Sequence, residues 1–197
     1  FRGFGGPQGL FGCETIIDHV ATHLKVDPLI IRRLNIKRGI TILPTKFGIG
    51  FAAKCFNQAG ALVHIYKDGS VLLSHGGTEM GQGLHTKMIS IAAEVLGCDV
   101  NRICISETAT DKVPNTSPTA GSVSSDLNGM AIQIACVQIR ERLDKILAEN
   151  DGNLSWEDLI KKAYFSRIDL CAHGFYATPE PIGADFPNNR ANILFLV

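Results

Sequence analysis

The sequence carries no net charge, because 19 Lys and Arg balance 19 Asp and Glu. It has no basic stripe, so the electrostatic footprint of a nucleic-acid binder or of a protein held on an acidic membrane is absent. No apolar run approaches the roughly 20 residues that a membrane-crossing helix needs. Six cysteines occur (Cys13, Cys55, Cys98, Cys104, Cys136 and Cys171), and none belongs to a C-x-x-C pair. Zinc and dithiol sites of that spacing are thereby excluded. With no visible secretory signal, the cysteines read as reduced thiols in a cytosolic protein, and their apolar neighbours mark most of them as core fillers. Gly81-Gln82-Gly83 lacks the third glycine of a dinucleotide fingerprint, and no Gly-Lys-Ser or Gly-Lys-Thr follows to make a phosphate loop of the Walker kind. Internal repeats and low-complexity segments are also missing.

What remains is a chain of 197 residues, 45% apolar and 19% charged, long enough for one globular domain with a sizeable core. Its organising stretch is Gly76-Gly77-Thr78-Glu79-Met80-Gly81-Gln82-Gly83-Leu84-His85-Thr86-Lys87. An apolar strand, Val71 to Ser74, enters it. A helical pattern with Leu84, Met88, Ile91, Ala92 and Val95 on one face leaves it. Glycines at a strand-to-helix turn let the backbone bend sharply and let a ligand approach closely. The free amides and positive dipole end of the helix start then make a candidate anion cradle. A plain tight turn between two packed elements explains the spacing equally well.

Around this stretch the pattern is mixed. Pro7 opens a helix through His23, and Asp27-Pro28 caps and starts a second, short one over Leu29 to Leu34. From Gly39 the residues turn to strands, with Ile40, Ile42, Leu43, Phe47, Ile49 and Phe51 alternating imperfectly. Ala59 to Tyr66 and Ser70 to His75 read as antiparallel strands about a two-residue Asp68-Gly69 turn. The central helix is expected from Gly81 to a stop at Gly97, followed by a half-buried strand over Arg102 to Thr108. A long helix follows over Ser124 to Leu147, with Leu127, Met130, Ala131, Ile134, Val137, Leu143 and Ile146 inward and Ser122 or Ser124 as its cap. Asp151-Gly152-Asn153 breaks it; Ser155 and Asp158 approximate a capping box for a helix through Tyr164, and Arg167 to Tyr176 is the last strand. The fold class expected is α+β: antiparallel strand pairs with packed helices.

Several strings point further. The glycine-rich stretch, Phe1-Arg2-Gly3-Phe4-Gly5-Gly6-Pro7-Gln8-Gly9, Val113-Pro114-Asn115-Thr116-Ser117-Pro118-Thr119-Ala120-Gly121-Ser122, Asn57-Gln58-Ala59-Gly60-Ala61 and Ser125-Asp126-Leu127-Asn128-Gly129 occur in this order. Together they resemble the molybdenum-cofactor domain of the xanthine dehydrogenase and aldehyde oxidase family. The resemblance implies a partial molybdopterin-binding domain. Residues 1–36 would end one cofactor-binding module, 37–186 would begin the next, and 187–197 would be a non-family tail. Arg32-Arg33-Leu34-Asn35 and Lys37-Arg38-Gly39-Ile40 resemble family segments that normally lie several dozen residues apart, which implies a missing internal segment. The initial Phe1 adds the expectation of a fragment or a processed piece.

By the same resemblance, Phe4 stacks on a flat heteroaromatic substrate and Phe51 meets its edge. Ala52 stands where the compared dehydrogenases have a hydroxyl residue, which puts one substrate hydrogen bond in doubt. Arg2, Gly3, Met80, Gln82, Thr119, Ala120, Gly121, Ser122 and Ser124 would bind the cofactor. Arg2 and Gly121 would lie nearest the molybdenum, Gly121 at a position where the family often has alanine. From the residues alone, Phe4 and Phe51 are equally core aromatics and Arg2 a solvated charge. His19 and His23 share a helix face, yet no third metal ligand is evident. Asp18, Glu79, Glu94 and Asp126 show no obvious pairing, and none is singled out as a base.

The implied activity is hydroxylation of a purine, or of an aldehyde, with water as the oxygen source. FAD and two [2Fe-2S] clusters would belong to the full-length enzyme and not be bound by this chain. The family's catalytic glutamate and substrate-orienting groups have no match here, so the chain alone is expected to be inactive. The parent is expected to be a cytoplasmic or peroxisomal homodimer with a small-molecule substrate and no nucleic-acid or membrane partner. A truncated product that only binds a partner, or misfolds, is the reading from another class.

Overall fold

The computed structural model describes residues 5–35, 47–51, 53–150, 152–179, 183–185, 190–192 and 194–196. Two compact units divide the chain, Phe1–Thr45 and Lys46–Val197. Arg2, Gly3, Phe4, Ala52, the expected strand residues Ile40 to Leu43 and the break at Asp151 lie outside the described residues.

The first unit is a helix pair, α1 (Gly6–Leu24) and α2 (Pro28–Asn35). Pro7 sits in the first turn of α1, where its missing N–H costs nothing. Lys25 ends α1 in the left-handed region at φ 56°. Asp27 starts α2 as expected, its Oδ1 accepting from Leu29 N–H at 2.7 Å. Arg32 reaches back from α2 to Glu14 (2.7 Å) and to Asp18 (2.9 Å), so Asp18 is paired after all. Most of the apolar stripe of α1 (Leu10, Phe11, Ile16, Val20, Leu24) is exposed, and only Ala21 is buried.

The second unit holds β1 (Phe47–Ile49), β2 (Gln58–Ile65), β3 (Val71–His75), α3 (Leu84–Leu96), β4 (Ile103–Ile105), α4 (Ser124–Ala148), α5 (Trp156–Phe165), β5 (Cys171–Ala177), β6 (Gly183–Asp185), β7 (Arg190–Asn192) and β8 (Leu194–Leu196). Four strands form one sheet in the order β4-β3-β2-β5; β1 pairs with β8, and β6 with β7. The class is α+β. One correction concerns pairing: β2 runs antiparallel to β3 and β5, but β4 runs parallel to β3. The reason is α3, which carries the chain back along the sheet before β4 starts, as a crossover must.

The layers are set by two glycines. Gly174 of β5 faces α4 so closely that a Cβ there would meet Ala131 O at 1.9 Å. Gly129 of α4 meets α3 likewise, with an added Cβ 2.8 Å from Ile91 Cδ1. Around these contacts Leu73, Leu84, Met88, Leu96, Ile132, Ile139, Leu143 and Ile160 are fully buried. Met130 and Val137, expected inward on α4, are instead exposed. Seven residues apart, they share a strip beside the buried stripe of Leu127, Ala131, Ala135, Ile139 and Leu143.

Local chemistry shifts several boundaries. The β2–β3 turn has three residues, not two: Gly69 N–H bonds to Tyr66 O and Tyr66 N–H to Ser70 O, with Gly69 at φ 86°. That is a type I turn followed by a left-handed glycine. The expected last strand shortens to β5, and the expected strand over Arg102 to Thr108 to β4. Ser155 caps α5 as expected, accepting from Asp158 N–H at 3.2 Å. Neither Ser122 nor Ser124 caps α4: its N-cap is Val123, which has no hydroxyl to offer. The cysteines are free, but only Cys136 is buried, its thiol pushed up to about 12 by burial; Cys13, Cys55 and Cys104 are exposed, not core fillers.

Candidate functional site

Three loops of the second unit converge at one end of the sheet. The first, residues 76–83, joins β3 to α3; the second, residues 106–123, joins β4 to α4; the third, described at residues 50–51 and 53–57, follows β1. The first two touch at Gly76, where a Cβ would lie 1.8 Å from Thr116 Cγ2, and are tied by Thr78 N–H donating to Thr119 Oγ1 at 2.8 Å. The second and third are tied by Gly50 N–H donating to Gly121 O at 2.9 Å. Gly121, at φ 63°, would place a Cβ 3.2 Å from Gly50 O and 3.6 Å from Phe51 Cζ. Asn57, buried, holds Phe51 from both sides: its Oδ1 accepts from Phe51 N–H at 2.9 Å and its Nδ2 donates to Phe51 O at 2.8 Å.

The first loop is braced from within. Glu79 Oε1 accepts from Gly81 N–H (2.7 Å) and Gly83 N–H (3.0 Å), and Oε2 accepts from His85 N–H (3.0 Å). These amides, His85 foremost, pull the Glu79 carboxyl down to about 2. Gln82 turns both ends inward, Oε1 accepting from Met80 N–H at 2.6 Å and Nε2 donating to Thr78 O at 2.8 Å. Gly81 and Gly83 are left-handed (φ 88° and 79°), so α3 begins only at Leu84 and not at Gly81. The helix-start amides that the sequence offers to an anion are therefore engaged by Glu79, a residue that sequence reasoning set aside as unpaired.

Beneath the loop lies a histidine pair. His75 is 1% exposed. Its Nδ1 accepts from Gly77 N–H at 3.0 Å, so the neutral ring carries its hydrogen on Nε2. That nitrogen lies 3.1 Å from His85 Nδ1. Burial, then the neighbouring His85, lowers His75 to about 4, while Glu79 acts in the opposite sense.

At the second loop Gly121 and Ser122 are both left-handed (φ 63° and 57°), and α4 starts with no side-chain cap. Lys87 Nζ reaches Ser125 Oγ at 3.4 Å between the two helix starts. A 740 Å³ cleft, mostly apolar, runs beside them between α3 and α4, lined by Ile91, Glu94, Val95, Val123, Met130 and Tyr176 among others. Among the described residues no group of three or more His, Cys, Asp or Glu could hold a metal ion, the His19 and His23 pair included. No helix of those residues is long and apolar enough to cross a membrane.

A family model described as a molybdopterin cofactor-binding domain matches residues 25–194, and a second of the same description matches residues 1–36. The chain belongs to the molybdopterin cofactor-binding domain family. Among curated relatives of this domain, the xanthine dehydrogenase of Emericella nidulans is 46% identical over 243 aligned positions, which cover 99% of this chain and 18% of that protein. The xanthine dehydrogenase/oxidase of Gallus gallus is 44% identical over 238 positions, 96% of this chain and 17% of that protein. The chain thus spans under a fifth of the length of these relatives. Because the alignments exceed the 197 residues of the chain, the relatives carry residues inside the aligned span that have no counterpart here. Solved structures agree in fold. The quinoline 2-oxidoreductase of Pseudomonas putida 86 superposes with a TM-score of 0.59 at 19% identity, covering 67% of this chain and 21% of that one. The aldehyde oxidoreductase of Desulfovibrio desulfuricans gives 0.53 at 23% identity, covering 91% and 24%.

The residues present fit such a cofactor. Left-handed Gly121 and Ser122 and the uncapped α4 start leave backbone donors without a side-chain cap, next to a loop whose glycines permit close approach. Of the residues singled out by sequence, Phe51, Met80, Gln82, Thr119, Ala120, Gly121, Ser122 and Ser124 all lie on the three converging loops or the α4 start. Glu79, His75, Asn57 and Thr78 were missed. Only Glu79 left a usable signal, a carboxylate four residues before the glycine that precedes a helix.

Proposed function

We propose that this chain supplies cofactor-holding loops to a molybdenum hydroxylase of the xanthine dehydrogenase kind acting on purines. Bound molybdenum-molybdopterin would supply oxidation of an electron-poor carbon, with water as the oxygen source. Thr119, Ala120, Gly121, Ser122 and Ser124 would hold it through backbone amides and hydroxyls, and Met80 and Gln82 would face the pterin. Phe51, fixed by Asn57, would present a rigid aromatic edge to the substrate. Arg2, Gly3 and Phe4 are proposed to complete the site on the grounds of sequence alone, Arg2 and Gly121 nearest the metal. Glu79, held by three amides, is a poor proton acceptor, which supports a base supplied from elsewhere and inactivity of the chain alone. FAD and iron–sulfur clusters would be carried by other parts of a cytoplasmic or peroxisomal homodimeric parent. Residues 1–36 are proposed as the end of one cofactor-binding module, 37–186 as the start of the next, and 187–197 as a non-family tail.

The observation that supports this reading is the Thr78–Thr119 tie, which joins the two loops proposed to hold the cofactor. The test is molybdenum and pterin content of the protein bearing this segment, with and without Thr119→Val. Near-stoichiometric molybdenum that falls in the variant supports the reading; no molybdenum in either refutes it. Ala52 favours an aldehyde as the second reading, since it removes a hydroxyl from the substrate edge. Turnover of hypoxanthine against an aromatic aldehyde separates the two.

A further inference from the structure

The 740 Å³ cleft between α3 and α4 has two walls of the same make. Ser90, Ile91, Glu94 and Val95 of α3 form one, and Asp126, Gly129, Met130 and Gln133 of α4 form the other. Residues three and four apart lie above one another on a helix, so each wall is a ridge of about two turns. The walls stand close, because Gly129 brings α4 against Ile91, where an added Cβ would lie 2.8 Å from Cδ1. A valley between two neighbouring helices is the shape into which the ridge of a third helix packs. Met130 is 37% exposed, and Ser90, Glu94, Asp126 and Gln133 are exposed too, so the valley is an open groove and not a pocket closed over a small ligand.

The charges of the groove are of one sign. Its lining is mostly apolar, yet each wall carries a carboxylate, Glu94 on α3 and Asp126 on α4. Among the described residues neither carboxylate forms an ion pair. No Lys, Arg or His is among the lining residues, and Lys87 touches the rim at Ser125 Oγ, 3.4 Å away. We propose that this groove docks an amphipathic helix of a partner protein, whose apolar stripe is flanked on both sides by Lys or Arg. The stripe meets Ile91, Val95 and Met130, and the two basic flanks meet Glu94 and Asp126. An acidic helix is turned away, because it would set like charges against both walls at once. The proposal is independent of the cofactor reading, since it uses none of the residues assigned to the cofactor.

The test measures fluorescence anisotropy of two labelled peptides titrated with the full 197-residue chain. Both are amphipathic helices of about 14 residues, or roughly four turns, one built of Leu and Lys and the other of Leu and Glu. The Leu/Lys peptide is expected to bind roughly tenfold or more tightly than the Leu/Glu peptide. Glu94→Lys combined with Asp126→Asn should abolish that preference or reverse it. Met130→Glu, which puts a charge on the apolar stripe of an exposed wall, should weaken the Leu/Lys peptide by about tenfold. Far-ultraviolet circular dichroism establishes that each variant is folded, and either variant alone suffices. Equal binding of the two peptides, or a preference that both folded variants leave unchanged, would overturn the proposal. So would binding to the 197-residue chain that vanishes in a longer protein bearing it, because the groove would then be covered from within. An apolar dye, anilinonaphthalene sulfonate, that binds the chain without being displaced by the Leu/Lys peptide would also overturn it, in favour of a small apolar ligand.

Discussion

At Gly76 one hydrogen atom in place of a methyl group decides whether two loops can meet. The obstacle to a Cβ there is a side chain, Thr116, at 1.8 Å. Gly76→Ala is therefore expected to cost about 1–3 kcal/mol, as overpacking does, and Gly76→Ala with Thr116→Gly to recover part of that in urea denaturation. Gly121 poses the opposite problem. Its neighbour is the carbonyl of Gly50, and its φ of 63° disfavours any side chain, so an alanine there is strained even where space allows. Glycine at this position, where the resembled family often has alanine, matches the backbone the loop adopts.

At the scale of elements, the spacing between β5 and α4 depends on backbone touching backbone. Ala131 O blocks a Cβ on Gly174 at 1.9 Å, and no side-chain truncation could relieve it. Gly174→Ala should thus destabilise by more than Gly76→Ala and resist rescue by any second substitution in α4, which paired denaturation curves would reveal. The α5 start makes a smaller, separable contribution: Ser155→Ala removes the acceptor for Asp158 N–H and should cost about 1 kcal/mol. Helices and the β2–β3 hairpin were legible because period and punctuation coincide there, as at Gly97, Asp27 and Ser155. The parallel pairing of β4 was not, since direction is decided by where α3 returns the chain and not by any residue within Ile103–Ile105. The α3 start was misread by three residues because Gly81 and Gly83 look like helix punctuation from either side, and only their dihedral angles separate them from the helix.

For the molecule as a whole, acid stability is where the buried site reports on the fold. His75 takes up a proton near its ordinary 6.5 when unfolded but resists to about 4 when folded. Stability present above pH 6.5 is then lost as pH falls towards 4, on the order of 3 kcal/mol. Glu79 adds a second loss, beginning below 4.5 and complete near 2. Denaturation midpoints across pH 4 to 7 should therefore slope downwards with acid, and His75→Gln should flatten that slope. Literal strings made the family readable, whereas the hydrogen bonds between the loops were not, because partners such as Thr78 and Thr119 stand 41 positions apart. Asn57 shows what such remote ties imply. Its amide grips Phe51 by a donor and an acceptor at once, and Phe51 follows Gly50, which is bonded to Gly121. Exchanging that NH2 for an oxygen, as Asn57→Asp does, would turn one attraction into repulsion without altering the size of the side chain. The disturbance would surface at the Gly121 turn, far along the chain, although nothing there had changed.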